Sequence, residues 1–307
     1  MTPQPPDVRN GFEQAAFEYY DNKRADALNL DLGHEDGFYH HHFAITDFDR
    51  TVLAEERPEL REKRVRSELH RLETHQVTAF SAVLGDFPPT GRILDAGSGR
   101  GGTSLLLHQR YGCEVDAVNF SGYQNGFARE AATALGVADR VRFHDANMVH
   151  TGFADATFDA VVTNETTMYV DLDEAFTEFA RVLKPLGRYV LTTWCINDAY
   201  GTTPVEAAEI DEHYRSRTHT RDEYLTALRD HGLFPYQVDD LTEPAIPYWE
   251  LRTHSRLATG IERPYLASYR TNRINYMRIA SRKAGTGIAG RAPAATAPDR
   301  RMPRPAR

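Results

Sequence analysis

The stretch "ILDAGSGRGG", residues 93–102, places a short apolar run before a cluster of glycines. Its first residues are typical of a buried strand, and "TSLLLHQRYG" at 103–112 is typical of a helix. Glycine suits the turn between them, because its backbone adopts positive φ angles and approaches other groups closely. The stretch therefore predicts a strand–turn–helix unit whose turn is open to a ligand.

Outward from this unit, residues 91–195 alternate between β-rich and helical runs. The predicted strands are 91–97, 114–121, 141–147, 158–165 and 188–195. The predicted helices are 103–112, 123–136 and 171–187. This alternation predicts an α/β fold with a doubly wound, mostly parallel sheet. Ligands of such sheets bind outside the carboxyl ends of the strands, and Glu165 ends the fourth predicted strand.

The regions around this core differ in pattern. Residues 11–88 are predicted to be helical, since apolar residues recur at helical spacing in their second half. The main domain is predicted at 89–282. Within it, residues 196–255 break the alternation and predict a helical cap over the sheet, followed by a last helix and strand. Residues 1–10 and 283–307 lack a hydrophobic period and are expected to be disordered.

The composition narrows the class of protein. The chain has 307 residues, of which 41% are hydrophobic and 26% charged, and a net charge of −8. Residues 283–307 carry a net +5, which leaves −13 for the rest and argues against nucleic acid as a partner. The sequence contains no apolar run of about 18 residues, so no membrane span is predicted. The N-terminus lacks the pattern of a secretory signal.

Two cysteines, Cys113 and Cys195, lie far apart without the spacing of metal ligands. They are expected to be reduced and buried thiols, which favours a cytoplasmic protein, with a structural disulfide as the less favoured alternative. The sequence does not determine an oligomeric state. The aromatic N-terminal segment makes a homo-oligomer conceivable.

A glycine-rich turn alone is weak evidence for a particular cofactor. Here the acidic Asp95 precedes the turn, where nicotinamide sites usually have an apolar residue. Asn119 follows about 20 residues later, where a ribose-binding side chain falls in nucleotide-binding folds. The later runs "ANMVHTGF", "ATFDAVVTN" and "ARVLKPLGRYVL" complete a succession that resembles the class I S-adenosylmethionine methyltransferases. A nicotinamide oxidoreductase is the alternative.

This resemblance implies a seven-stranded, Rossmann-like methyltransferase sheet and S-adenosyl-L-methionine as the cofactor. Asn147 is the expected adenine contact, with Asp145 as a rival. Ser98 and Asn119 depart from the pattern, because other members often have Cys and an acidic residue there. The candidate cofactor-binding residues are Asp95, Gly97, Gly99, Asn119, Gln124, Asn147 and Asn164.

A narrower resemblance covers nearly the whole chain between its two ends. The stretches that carry it are "DGFYHHHF" at 36–43, "SELHRLE" at 67–73, "NETTMYVDL" at 164–172, "PYWELR" at 247–252 and "TGIERPYLASYR" at 259–270. They resemble the bacterial geranyl diphosphate C-methyltransferases. This resemblance implies methylation of an isoprenoid alkene carbon in terpenoid secondary metabolism, with Mg²⁺ gripping a diphosphate.

The chemistry of that reaction gives roles to particular residues. An alkene carbon has no proton to lose before it attacks a methyl group, so alignment is the main task. Attack leaves a carbocation, which aromatic faces stabilise and a base deprotonates. The family's base is the Glu of "N-E-[ST]-T-M-Y", which is Glu165 here; a capping or surface carboxylate is the alternative. Tyr214 is the candidate cation-facing aromatic, since the family has Phe there.

The remaining candidates rest on the same resemblance, and plain packing or surface roles are their alternatives. The substrate-binding candidates are Tyr39, His41, Phe43, Tyr169, Tyr200, Trp249 and Arg270, and the metal candidate is Glu73, with Glu68 beside it. Arg252 and Arg263 are further candidates for phosphate oxygens. The three consecutive histidines from His40 are not expected to bind one ion together.

One departure concerns the substrate. Phe43 stands where the family's "H-H-H-Y" has a hydroxyl. The prenyl chain, the methylated carbon and the state of the diphosphate therefore stay open. The alternatives are C-methylation, with or without cyclisation, of a prenylated natural product, O- or N-methylation of a small polar metabolite, and a cofactor-binding scaffold without catalysis.

Overall fold

The structure is a computed structural model that describes residues 8–22, 30, 33 and 36–285. Its helices are α1 (Gly11–Asn22), α2 (Pro58–Ser81), α3 (Gly102–Tyr111), α4 (Gly122–Ala134), α5 (Leu172–Val182), α6 (Val205–Tyr214), α7 (Arg221–Asp230), α8 (Thr242–Arg252) and α9 (Glu262–Arg270). Its strands are β1 (Arg92–Ala96), β2 (Glu114–Asn119), β3 (Val141–Asp145), β4 (Phe158–Asn164), β5 (Leu183–Ile196), β6 (Leu233–Asp240) and β7 (Ile274–Lys283). Most of the two predicted disordered ends, 1–10 and 283–307, lies outside the described residues.

The seven strands form one sheet in the order β3-β2-β1-β4-β5-β7-β6. β7 is antiparallel to both of its neighbours, and the other described pairs are parallel. The chain builds outward from β1 to β3 and then returns to β4 on the other side of β1. The prediction of a doubly wound α/β sheet is confirmed. A topological switch point lies between β1 and β4, where such sheets bind ligands.

Alternating residues along the strands supply the two faces of the core. Ile93 and Val162 face the cluster that includes α3 and α4, whereas Leu94 and Val161 face the cluster that includes α5 and α7. Cys113 and Cys195 are buried and free, as expected. In the described part of the chain, no helix combines the length and the apolar character that a membrane crossing needs.

Local signals fix the helix ends that border the sheet. The Asp171 side chain accepts hydrogen bonds from the backbone N–H groups of Asp173 and Glu174, which begins α5. Thr220 and Glu223 form a capping box at the start of α7. These ends place α5 and α7 side by side over one face of the sheet.

A third hydrophobic cluster lies beyond the sheet core, among α2, α6, α8, α9 and residues 43–52. It is rich in aromatic side chains. The predicted helical cap at 196–255 needs a correction here, because β6 falls inside that range and pairs with β7 as the sheet's edge strand. Its pattern of buried and exposed residues alternates, with Phe234, Tyr236 and Val238 on the exposed side, which is typical of an edge strand.

Candidate active site

A cavity opens at the carboxyl ends of β1, β2 and β4, where the strand order reverses. It encloses about 750 Å³ including its open mouth. The predicted site residues on its wall are Tyr39, His41, Asp95, Gly97, Gly99, Asn119, Gln124, Asn164, Glu165 and Tyr169. The structure therefore brings together residues from the glycine turn, from the polar end of β2 and from the tip of β4.

Two glycines at the ends of the turn, Gly97 and Gly102, have no room for a side chain. Gly97 has a φ of 88°, and a Cβ there would lie 2.7 Å from the Thr166 side chain. A Cβ on Gly102, at the start of α3, would lie 2.6 Å from the carbonyl oxygen of Tyr39. Bare backbone is therefore required on both sides of the turn, and it leaves the cavity wall free for a ligand.

Asp95 is an acidic residue of the cavity wall. Its side chain is buried, and Oδ2 accepts a hydrogen bond of 2.6 Å from the Ser104 hydroxyl. Burial raises the pKa of this carboxyl to about 7. A cation bound beside it would favour the ionised form, so the site suits a ligand with a positively charged group.

Other polar groups of the cavity wall are arranged for hydrogen bonding. Asn119 Nδ2 donates to the Gly99 carbonyl oxygen and to Gln124 Oε1, at 3.2 and 2.8 Å. That arrangement leaves the Asn119 amide oxygen as an acceptor. Among the described residues, Gln124 Nε2 and the Ser98 hydroxyl are buried without a partner. Buried polar groups of this kind are normally satisfied, so they indicate a polar ligand.

Helix α1 contributes to the wall of the cavity. Phe17 and Tyr20 line it, and Tyr20 shares a hydrogen bond of 2.5 Å with the hydroxyl of Tyr169. Asn147, the expected adenine contact, is not on the wall, because its Nδ2 donates to Glu13 Oε2 of α1 at 3.0 Å. The structure thus pairs Asn147 with a residue of α1, while its neighbour Met148 lines the cavity.

Asp145, the rival of Asn147, also lies off the cavity wall. Its Oδ1 accepts hydrogen bonds from Asn125 Nδ2 and from Arg129, at 2.7 and 2.8 Å. These bonds tie the carboxylate to α4, and it stays half exposed. Neither candidate is brought directly to the cavity in this structure.

Glu165 follows β4 at the boundary between the cavity and the aromatic cluster. Its φ is 57°, a left-handed conformation that is costly for a side-chain-bearing residue and is concentrated at functional sites. Its backbone N–H donates to the Thr192 carbonyl oxygen at 2.9 Å. Burial raises the pKa of the carboxyl to about 8.

The aromatic cluster on the far side of Glu165 is a packed group of rings around Phe43. The ring centroids of Trp249 and Tyr265 lie 4.4 and 4.9 Å from that of Phe43. Trp249 and Tyr265 stack on each other at 4.1 Å with 9° between their planes. Tyr214, the predicted cation-facing residue, is buried in the same group against Trp194 at 5.9 Å. The name aromatic chamber is used below for these five residues with Tyr248 and Tyr276.

Glu73, the predicted metal ligand, points into the end of this chamber. Its side chain is buried, and Oε1 accepts a hydrogen bond of 2.7 Å from the Tyr248 hydroxyl. Glu68 instead pairs with Arg71 at 2.7 Å. No cluster of three metal-ligand side chains occurs in the described residues. Glu73 thus offers a single carboxylate, so a metal held here needs oxygen ligands from elsewhere.

Two predicted substrate residues lie away from the chamber. The Tyr200 side chain is 46% exposed, and its hydroxyl donates to the Thr271 carbonyl oxygen at 3.1 Å. Arg270 pairs with Glu250 at 2.6 Å on the surface, and Arg263 pairs with Glu209. Arg252 differs from these arginines, because it is buried in an ion pair of 3.0 Å with Glu262.

Some cavity and chamber residues were not among the predicted site residues. Tyr276 of β7 and Gln76 of α2 meet behind Glu165, and Phe17 and Tyr20 come from α1. A tyrosine within the apolar run "INYMRIAS" was the available signal for Tyr276. A buried hydroxyl normally has a partner. The sequence does not reveal that the partner lies 111 positions earlier, at Glu165.

This sheet order, with its glycine turn and its cavity at the switch point, defines a class I S-adenosylmethionine-dependent methyltransferase. The family described as "Methyltransferase domain" matches residues 94–191. That range runs from β1 to the middle of β5. It includes most of the cavity wall and leaves out all seven residues of the aromatic chamber.

Whole-chain relatives define the family more narrowly. A geranyl diphosphate 2-C-methyltransferase of Saccharopolyspora erythraea is 43% identical to this chain, over 87% of this chain and 94% of the relative. A geranyl diphosphate 2-C-methyltransferase of Streptomyces coelicolor is 42% identical, over 85% of this chain and 90% of the relative. The Streptomyces coelicolor enzyme, solved with Mg²⁺, geranyl-S-thiolodiphosphate and S-adenosyl-L-homocysteine, superposes with a TM-score of 0.88 at 39% identity, over 91% of this chain and 100% of that one.

A geranyl diphosphate methyltransferase solved with geranyl diphosphate and sinefungin gives a TM-score of 0.86 at 40% identity, over 88% of this chain and 99% of that chain. Both the sequence and the structure are therefore matched over nearly their full length. The chain belongs to the geranyl diphosphate C-methyltransferase family. The resemblance inferred from its motifs is confirmed.

Proposed function

We propose that this chain transfers a methyl group from S-adenosyl-L-methionine to an alkene carbon of a prenyl diphosphate, with geranyl diphosphate as the preferred substrate. The observation that carries the proposal is the position of Glu165. Its carboxyl lines the cofactor cavity and is hydrogen-bonded to two members of the aromatic chamber. A base between a methyl donor and a dry aromatic chamber suits a reaction that passes through a carbocation.

The cavity fits the cofactor. When bound, S-adenosyl-L-methionine supplies an electrophilic methyl group on a cationic sulfur. Asp95 would face its charged end, and the amide oxygen of Asn119 would accept from its ribose. Gln124 and Ser98 have buried groups without partners among the described residues, which a polar cofactor would satisfy.

The residues of the chamber would align the alkene and exclude water. Alignment matters most, because the alkene carbon attacks the methyl group without prior loss of a proton. Attack leaves an electron-deficient carbon that the faces of Tyr214 and its neighbours would stabilise by about 0.5–2 kcal/mol each. Glu165 would then take a proton from the adjacent carbon, and the electrons of that C–H bond would form the new double bond.

Glu73 fits a metal only if the substrate contributes ligands. Mg²⁺ prefers oxygen ligands and is commonly held by one or two carboxylates together with substrate phosphates. A diphosphate would supply those oxygens, and Mg²⁺ would neutralise its charge. We propose Glu73 as the protein ligand, direct or through water, with Arg252 near the same end of the chamber because Tyr248 contacts both residues.

Transfer of label from S-adenosyl-L-methionine tests this function. C5, C10 and C15 prenyl diphosphates are offered with Mg²⁺ or with EDTA, and products are analysed for a gain of 14 mass units. We expect a methylated C10 product that requires Mg²⁺. The proposal would be contradicted if methylation were unaffected by EDTA and occurred only on a prenylated natural product that lacks a diphosphate. Transfer of the methyl group to oxygen or nitrogen would also contradict it.

We further propose a cytoplasmic location, supported by two buried free cysteines. The homo-oligomer stays a prediction. Of the aromatic side chains of α1, Phe17 packs against Phe120 at 5.8 Å and Tyr20 against Tyr169 at 5.2 Å, whereas Phe12 is exposed. Light scattering of the purified protein would determine the state.

A further inference from the structure

We propose that Tyr276 and Gln76 form a positioning pair that holds one oxygen of Glu165 and leaves the other, Oε2, to accept the substrate proton. The inference rests on the proposed role of Glu165 as the base. It assigns a task to two residues outside the motif that carries Glu165. Both lie far away in sequence, on β7 and α2.

The first observation is that both hydrogen bonds to the carboxyl fall on the same oxygen. Glu165 Oε1 accepts from the backbone N–H of Phe43 at 2.8 Å and from the Tyr276 hydroxyl at 2.5 Å. No described residue donates to Oε2. A carboxylate held through one oxygen keeps the lone pairs of the other for a new proton. The carboxyl also lines the cavity, so Oε2 is the oxygen left for a substrate.

The second observation is that Gln76 determines the direction of the Tyr276 hydroxyl. Gln76 Nε2 donates to the Tyr276 oxygen at 3.1 Å, so the single phenol hydrogen is left to point at Glu165. The Gln76 amide is itself fixed by a reciprocal pair with Asn164, at 3.0 and 3.1 Å. The hydrogen-bonded series Asn164–Gln76–Tyr276 therefore directs the Tyr276 hydroxyl toward Glu165, the residue that follows Asn164.

Few charges surround the carboxyl, so this donor has a large influence on it. The titratable groups that interact electrostatically with Glu165 are Glu73 of α2, Tyr276 of β7, Tyr214 of α6, Tyr265 and Tyr269 of α9, and Tyr20 of α1. His42, beside Phe43, lines the same cavity. Burial and the charge of Glu73 raise the pKa of Glu165, whereas the Tyr276 and Phe43 hydrogen bonds lower it. Tyr276 is thus the side-chain donor that favours the ionised, proton-accepting form.

Phe43 explains why a separate donor is needed in this chain. Phe43 contributes its backbone N–H to Glu165 and has no hydroxyl to add. Its ring packs against Trp194 and Trp249 on the apolar side. Among the described residues, the one hydroxyl that reaches Oε1 is that of Tyr276 on β7.

Tyr276→Phe is the main test, and it removes only the hydroxyl. Loss of a hydrogen bond to an ionised group should raise the Glu165 pKa by about one unit. The acidic limb of kcat/KM for geranyl diphosphate should move up by that amount, with about a tenfold loss at pH 7 and an unchanged plateau at high pH. Tyr189→Phe is the matched control, since Tyr189 is a buried sheet tyrosine bonded to Thr163 at 2.8 Å. The acidic limb of the Tyr189→Phe profile should stay at the wild-type pH.

Gln76→Leu tests the orienting role. It should shift the limb in the same direction by less than Tyr276→Phe, because the hydroxyl remains but is no longer directed. A lower plateau without any shift of the limb in Tyr276→Phe would overturn the proposal, since loosened packing alone gives that result. An unshifted limb in Gln76→Leu would remove Gln76 from the pair.

A readout without turnover separates this inference from the proposed function. The infrared band of the protonated carboxyl that disappears in Glu165→Gln can be titrated in wild type and in Tyr276→Phe. An upward shift of its midpoint supports the pair even if geranyl diphosphate is not the substrate. An unchanged midpoint overturns it even if methyl transfer is observed.

Discussion

The cofactor cavity and the aromatic chamber are adjacent but are built in different ways. Much of the cavity wall comes from one span of sequence, from Asp95 to Gln124, at the ends of two neighbouring parallel strands. The chamber assembles Phe43, Trp194, Trp249 and Tyr276 with residues of α6 and α9. A compact motif therefore forms the polar half of the site, and distant segments form the apolar half.

The two halves also differ in what they demand of a ligand. The cavity holds buried polar groups without partners among the described residues, and an acid whose pKa is raised by burial. The chamber rings pack directly on one another, as the stacked pair of Trp249 and Tyr265 illustrates. Glu165 lies at the boundary, so substitutions on either side should separate cofactor binding from prenyl binding.

Replacement of the boundary residue should have the largest effect. Glu165→Gln keeps the shape and the bond to Tyr276 but removes the base. We expect kcat to fall by about 10²–10⁴-fold, the usual contribution of a general base. The affinity for S-adenosyl-L-methionine, measured by calorimetry, should change by less than about threefold.

Glu178→Gln is the matched control for that variant. Glu178 is also a buried glutamate, but it bonds to Thr151 and Arg181 away from the cavity. The Glu178→Gln variant should have a lower free energy of unfolding and a nearly unchanged kcat. A Glu165→Gln enzyme that turns over near the wild-type rate would eliminate the carboxyl as the base.

A change inside the chamber should weaken prenyl binding and spare the cofactor. Trp249→Ala removes a fully buried ring and should lower the free energy of unfolding by about 3–5 kcal/mol. The KM for geranyl diphosphate should rise, while the dissociation constant of S-adenosyl-L-methionine stays the same. Phe176→Ala, a buried ring on the far face of the sheet, should lose similar stability with no change in KM. If Trp249→Ala changed the KM for geranyl diphosphate and the dissociation constant of S-adenosyl-L-methionine by the same factor, the division of the site into two halves would be contradicted.

A pH-dependent effect is expected from the acid of the cavity. The folded-state pKa of Asp95, about 7, lies above the usual value of about 4, so ionisation destabilises the fold as pH rises from about 4 to 7. Asp95→Asn is neutral throughout. Without ligands it should match wild type at pH 4 and exceed it by about 4 kcal/mol at pH 8, while S-adenosyl-L-methionine binds more weakly. Urea unfolding at both pH values measures this difference.

Asp116→Asn should behave in the opposite way. Burial raises the pKa of Asp116, but hydrogen bonds from His144, Arg92 and Arg142 outweigh burial and hold it well below its usual range. Its ionised form therefore stabilises the folded chain at neutral pH, and the variant should be less stable than wild type at pH 8. A stabilised Asp116→Asn would show that solvation rather than pairing controls these buried acids.

The sequence predicted the residues of the cofactor cavity better than those of the aromatic chamber. Asp95, Gly97, Asn119 and Gln124 were predicted as cofactor-binding residues at the glycine turn and after the next strand, and all four line the cavity. Asn147 was not brought to the wall, because Glu13 of a separate helix bonds to it. The predicted range for the cap contained β6, since a strand with one exposed face carries too few apolar residues to separate it from the helices beside it.

The sequence by itself determined the doubly wound sheet, the glycine turn and the placement of Glu165 at the end of a strand. Periodicity and backbone conformation are local properties, so neighbouring residues encode them. Only the tertiary structure decided that Tyr276 and Phe43 bond to one oxygen of Glu165, and that Tyr200 and Arg270 lie outside the chamber. Those outcomes depend on which distant segments pack together, and a residue's type does not specify its partner.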